Sequence, residues 1–243
     1  MKKLLLGLFL FPAMAFASGA EIHLDHAPVN LHDQESLQRG ARVFVNYCLN
    51  CHSASYMRYN RMQDIGLTEA QIKDNLLYAA EKPGETMQVA MRKADAKAWF
   101  GAPPPDLSVI TRSRGADWVY TYLRSFYRDD SRPTGWNNTV FDKVGMPHVM
   151  QELQGHMVPI YRTEKSEDGK EHHVIDRFEL AKPGKLTQAE YDALVGDLTN
   201  YLNWVGEPAQ GDRMRIGLAV LLFLSIFYVV AFYLKKEFWK DVH

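Results

Sequence analysis

Three stretches of this chain space their apolar residues as helices do, and one is apolar almost without interruption. From Glu35 to Tyr47, the residues Leu37, Ala41, Phe44 and Val45 fall near one stripe, which predicts an amphipathic helix. Thr68-Glu-Ala-Gln71 has capping-box spacing, a hydroxyl with Gln three residues on, and predicts a helix running to about Ala80. The same signature recurs at Thr187-Gln-Ala-Glu190. It opens a pattern of Tyr191, Leu194, Val195, Leu198, Leu202 and Val205 that Gly206 and Pro208 bring to an end. Asp117 to Tyr127 is dense in aromatic residues and reads as helical. Strand signals are sparse, and only His173 to Phe178 suggests a short hairpin. Pro103-Pro104-Pro105 predicts a stiff extended segment, and Glu164 to Lys170 a charged loop. The expected fold class is mainly α with long loops.

The two ends read differently from the middle. Residues 214–234 are apolar except for Arg215, which sits at the edge. A helix of that length spans about 31 Å at ~1.5 Å per residue and matches the hydrocarbon core of a bilayer. The expected anchor is 213–234, with Lys235, Lys236 and Lys240 in a tail at 235–243. At the other end, Met1-Lys2-Lys3, the apolar run Leu4 to Phe11 and Ala15-Phe16-Ala17 form a basic, an apolar and a small-residue region in turn. Residues 1–17 therefore read as a secretory signal. Signal and anchor together put residues 18–212 outside the cytoplasm as one exported domain.

The 243 residues are 47% hydrophobic, enough for a full apolar core. With 28 basic and 29 acidic side chains, no nucleic-acid partner is expected. The exported part alone has 21 basic and 27 acidic residues, a net charge of −6. Two cysteines cannot build a multi-disulfide scaffold.

Those two cysteines carry the chemistry. Cys48-Leu49-Asn50-Cys51-His52 is C-x-x-C-H, the attachment signature of c-type haem. Each Cys adds across one haem vinyl group, and the adjoining His falls under the iron. A redox dithiol would need a βαβ setting, and a structural zinc site would need more Cys than the chain has. One motif predicts one covalent haem c. The sixth ligand decides what such a haem does: Met or His gives an electron carrier, and an empty site gives gas binding. Met146 lies in Val144-Gly145-Met146-Pro147-His148, a loop stiffened by Gly and Pro, and Met150, Met157 and His148 compete with it.

The chain resembles the cytochrome c1 family, the haem subunits of the cytochrome bc1 complex, in a bacterial form. The resemblance rests on Gly40-Ala41-Arg42-Val43-Phe44 before the attachment motif, Tyr56-Met57-Arg58-Tyr59 after it, and Pro104-Pro105-Asp106-Leu107-Ser108 with Arg112 and Arg114. Arg132-Pro-Thr-Gly-Trp136-Asn-Asn138, the Met146-Pro147 loop and the single C-terminal span complete it. The family's longer insertions and extra Cys before the Pro-Asp-Leu-Ser segment are missing here. The resemblance implies Met146 as axial ligand opposite His52, Arg114 at a haem propionate, Pro105, Leu107 and Ile110 lining the haem pocket, and Trp118 near the propionates. It also implies electron transfer from a Rieske iron–sulfur protein to a cytochrome c, beside a cytochrome b subunit. The expected location is the inner membrane, with the haem domain in the periplasm. A lone tethered shuttle, a haem sensor with an open sixth site and a structural assembly subunit are the competing readings.

Overall fold

The computed structural model describes residues 22–89, 91–165 and 171–241, so the predicted signal at 1–17 lies outside the described residues. The first amphipathic stretch forms α1 (Gln34–Val43). The Asp33 carboxylate caps it by accepting from the Ser36 N–H at 3.0 Å. Its last turn widens into a π turn, Phe44–Cys48, which carries the chain into the cysteine motif. Strand β1 (Ala54–Arg58) and a 3-10 helix (Tyr59–Ile65) follow. The Thr68 capping box is present in both halves and starts α2 (Glu69–Asn75). This helix stops five residues short of the expected Ala80. The Leu76 and Leu77 N–H groups both return to the Ile72 carbonyl, at 3.0 and 3.1 Å, and close the last turn.

Then come β2 (Thr86–Met87), α3 (Lys93–Phe100), α4 (Ile110–Arg114) and α5 (Ala116–Arg124). The aromatic stretch at 117–127 thus divides, its end leaving the helix for β3 (Phe126–Arg128), which pairs with β4 (Trp136–Asn138). A single turn, α6 (Gln151–Gln154), leads into β5 (Gly155–Lys165) and β6 (Glu171–Pro183). The second capping box opens α7 (Gln188–Gly206), and α8 (Gln210–Phe238) closes the chain.

The strand content corrects the sequence reading. Among the described residues there are three two-stranded antiparallel sheets, β1–β2, β3–β4 and β5–β6. The first two ladders are too short to show an alternation. The third is far longer than the expected hairpin around His173 to Phe178, and it takes in Glu164 and Lys165, assigned above to a loop. Its charges obscured the pattern: Arg162 pairs with Glu164 at 2.6 Å and Asp176 at 3.2 Å, and Arg177 with Glu179 at 2.8 Å. Its base rests on the domain through Phe178, whose ring is 5.2 Å from that of Tyr127.

The core lies where α1 crosses α7. Leu37, Ala41 and Phe44 meet Leu198, Tyr201 and Leu202 there, with the Phe44 and Tyr201 rings 5.6 Å apart. The crossing is closest at Gly40. A Cβ at that position would stand 2.1 Å from the Asp197 carbonyl oxygen and 2.5 Å from the Tyr201 Cβ. Arg124 fastens α5 to α7 by a two-pronged bond to Asp192 at 2.6 and 2.9 Å, and to the segment before α1 by a third to Asp25 at 2.7 Å. The extended segment before α1 is strapped down by buried Asn200, which accepts from the Asn30 N–H and donates to the Asn30 carbonyl. Helix α8 buries no residue. It outlasts the apolar run at both ends, where Arg213, Arg215, Lys235 and Lys236 stand, and is long and apolar enough to cross a membrane.

Gly40→Ala should wedge α1 from α7 and cost about 1–3 kcal/mol of stability. Thermal unfolding followed by circular dichroism measures this, and an unchanged midpoint would contradict the tight crossing.

Candidate functional site

The π turn and the turn after it bring Cys48, Cys51 and His52 to one cavity of about 370 Å³. The Cys51 and His52 N–H groups both bond the Cys48 carbonyl, at 3.0 and 2.8 Å, so the motif is a compact turn. Its second wall is the extended Pro103–Ser108 segment. The Leu107 N–H donates to the Ser53 carbonyl at 2.8 Å. The Asp106 carboxylate accepts from the Ser55 hydroxyl at 2.6 Å and N–H at 2.9 Å, and from the Ser108 N–H at 2.8 Å. Burial works against the Asp106 charge, but the bonds from Ser108 and Ser55 hold its carboxyl below the usual carboxylate range.

This strap delivers the Pro105 carbonyl to the His52 imidazole, with Nδ1 and the oxygen 2.7 Å apart. A carbonyl only accepts, so Nδ1 carries the proton and Nε2 keeps its lone pair. Burial also lowers the His52 pKa, against the opposing pull of Pro105 and Asp106. Both thiols are unbridged. Burial, then Cys51, pushes the Cys48 thiol up to about 12, and burial raises Cys51 as well. A redox dithiol needs the opposite shift to make a thiolate, so this environment speaks against that use of the motif.

All eight residues proposed from the sequence line this cavity: Cys48, Cys51, His52, Pro105, Leu107, Ile110, Arg114 and Met146. Of the four candidates for a sixth ligand, Met146 alone does so. Met150 is in the core, and Met157 lies on β5 opposite Leu180. His148 is stacked on Phe126 at 4.9 Å and edge-on to Trp136 at 5.0 Å, and burial pushes its pKa down to about 4. Arg112 pairs with Glu207 at 3.5 Å, whereas Arg114 has no carboxylate partner among the described residues. The Arg114 guanidinium lies over Trp118, 5.3 Å from the ring centre.

Two asparagines that were given no role from the sequence hold the Met146 loop. Asn138 is 1% exposed. Its side-chain oxygen accepts from the Val140 and Phe141 N–H groups at 2.9 and 3.2 Å, and its amide donates to the Tyr122 carbonyl at 2.8 Å. The Asn137 oxygen accepts from the Lys143 N–H at 2.8 Å. Lys143 has φ of 58°, a left-handed conformation that a side chain disfavours. This clamp and the bond from Arg132 to the Lys143 carbonyl at 3.1 Å hold it there. The Asn138 bonds two and three residues on form an Asx-type turn that an Asn can signal locally, but the bonds to Lys143 and Tyr122, six and sixteen residues away, have no local signature.

The donor set suits a covalently held haem. Two unbridged thiols, an imidazole with Nε2 free, a thioether and an unpaired guanidinium border one largely apolar cavity. The sequence model described as the Cytochrome C1 family matches residues 25–159 and 182–242. The chain belongs to the cytochrome c1 family. The break in the match, 160–181, takes in most of the described residues of β5 and β6. A cytochrome c1 of Allochromatium vinosum is 49% identical over the whole of both chains. A Nitrosomonas europaea protein named ammonia monooxygenase gamma subunit is 50% identical, over 100% of this chain and 98% of its own. A cytochrome b-c1 complex catalytic subunit of Candida albicans is 24% identical, over 86% of this chain and 73% of its own. Membership of the cytochrome c1 family implies haem c and a bc1-type setting, and α8 suits a membrane-anchored member.

Asn138→Ala would leave the Val140 and Phe141 N–H groups without their acceptor, at a cost of about 1–3 kcal/mol. Faster proteolysis between residues 139 and 146 and a lower melting temperature are expected; a loop as resistant as the parent's would remove the clamp from the account.

Proposed function

We propose that this chain is the haem-bearing electron-transfer subunit of a membrane quinol:cytochrome c oxidoreductase. Cys48 and Cys51 would hold one haem c through thioethers, and His52 and Met146 would ligate its iron. The observation that carries this reading is the meeting of the C-x-x-C-H turn and Met146 at a single apolar cavity, from segments nearly a hundred residues apart. When bound, the haem supplies a one-electron Fe(II)/Fe(III) couple.

The chain's own residues set the conditions for that couple. The Pro105 carbonyl fixes the His52 tautomer and ring angle, and so aims Nε2. The Met146 thioether, a soft donor, favours the reduced state. Pro105, Leu107 and Ile110 keep water out and lower the local dielectric, which disfavours the extra positive charge of the oxidised state. Arg114, which has no carboxylate partner among the described residues, would hold a propionate with its guanidinium. No substrate bond is made or broken here.

In this reading, residues 18–212 form a periplasmic domain and 213–234 anchor it in the inner membrane beside a cytochrome b subunit. The electron comes from a Rieske iron–sulfur protein and leaves to a cytochrome c. The ammonia monooxygenase name of the Nitrosomonas relative points to another assembly. Purification in mild detergent separates the two: a di-haem membrane subunit and quinol-dependent reduction support the proposal, and co-purifying monooxygenase subunits would overturn it.

Cys51→Ala should strongly reduce haem staining of the denatured polypeptide on a gel; undiminished staining would sink the thioether at Cys51. Met146→Ala should keep the stain but lose the long-wavelength sulfur-to-iron charge-transfer band and lower the midpoint potential. A spectrum and potential equal to the parent's would exclude Met146 as ligand.

A further inference from the structure

Tyr122 also lines the cavity. Its hydroxyl donates to Met146 Sδ at 3.4 Å, and among the described residues that sulfur is its hydrogen-bond partner. The ring is held from two directions. It stacks on Trp118 at 4.9 Å with the planes 9° apart, and meets Phe126 edge-on at 5.1 Å and 69°. Its carbonyl receives Asn138, the residue that clamps the Met146 loop. The hydroxyl is therefore fixed relative to the sulfur by packing on one side and by the backbone on the other.

A thioether sulfur has two lone pairs. We propose that Tyr122 is a positioning residue that engages one of them, so that the other is directed to the haem iron. This rests on the reading of Met146 as axial ligand. The bond has an electrostatic consequence as well. The positive end of the O–H dipole points at the sulfur and draws density from it. The oxidised iron, carrying one more positive charge, loses more from both effects than the reduced iron does. Tyr122 therefore raises the midpoint potential.

Tyr122→Phe removes the hydroxyl and keeps the ring stack, so the fold is retained. An optical redox titration of the haem-loaded, full-length protein should show a lower potential. At a fixed poise the oxidised-to-reduced ratio should rise about three- to tenfold, ~30–60 mV for one electron at 59 mV per tenfold. The charge-transfer band should move while the haem stain stays constant. Tyr122→Leu, which removes the ring too, should weaken that band further. A Tyr122→Phe protein with the parent's potential and band would overturn the proposal. If Met146→Ala changes the spectrum in the same series, only the role of Tyr122 falls. If Met146→Ala is also silent, the ligand assignment falls with it.

Discussion

The hydrogen bond between His52 Nδ1 and the Pro105 carbonyl joins the attachment turn to a segment 53 residues away, and the geometry of the site follows from it. It fixes which ring nitrogen stays unprotonated. It also needs an exact placement of the Pro105 backbone, which explains the density of bonds around it. The Asp106 carboxylate, with three hydrogen bonds from Ser55 and Ser108, and the Leu107–Ser53 backbone bond hold the extended proline segment against the strand that follows His52. Prolines suit this wall because they stay extended without needing a partner strand.

The same principle governs the other side of the cavity by different means. Met146 sits on a loop without regular structure, where main-chain N–H groups would otherwise lack acceptors. The Asn137 and Asn138 side chains supply them, and Asn138 passes the constraint on to α5 through the Tyr122 carbonyl. Helix α5 is in turn fixed to α7 by Arg124 and Asp192. Two loops with little secondary structure are thus held by polar side chains to one rigid helical frame, as the ligand pair proposed at His52 and Met146 requires.

Helix α8 and the described outer part of the β5–β6 hairpin lie apart from this frame. Helix α8 exposes its apolar side chains all round, and only a bilayer or partner helices would cover them. The hairpin carries its ion pairs on an exposed ladder, where each contributes little. Most of it falls in the gap in the family match, and none of its described residues lines the cavity.

Much of this protein was legible in one dimension. The C-x-x-C-H spacing, both capping boxes and the unbroken apolar run are local patterns, and each states its chemistry within a few residues. The helical frame followed, because helices are made of contacts three and four residues apart. The short ladders, the early end of α2 and the full hairpin were not legible. Their pairing depends on partners far along the chain or on charges that hide the alternation. In the same way, local spacing left four candidates for the sixth ligand, and the family resemblance singled out Met146 and Arg114. Tertiary structure put Met146 at the cavity and His148 in an aromatic box, and gave Arg112 to Glu207 while leaving Arg114 without a carboxylate partner among the described residues. Which side chain reaches a site depends on how distant segments pack, and no local spacing carries that information.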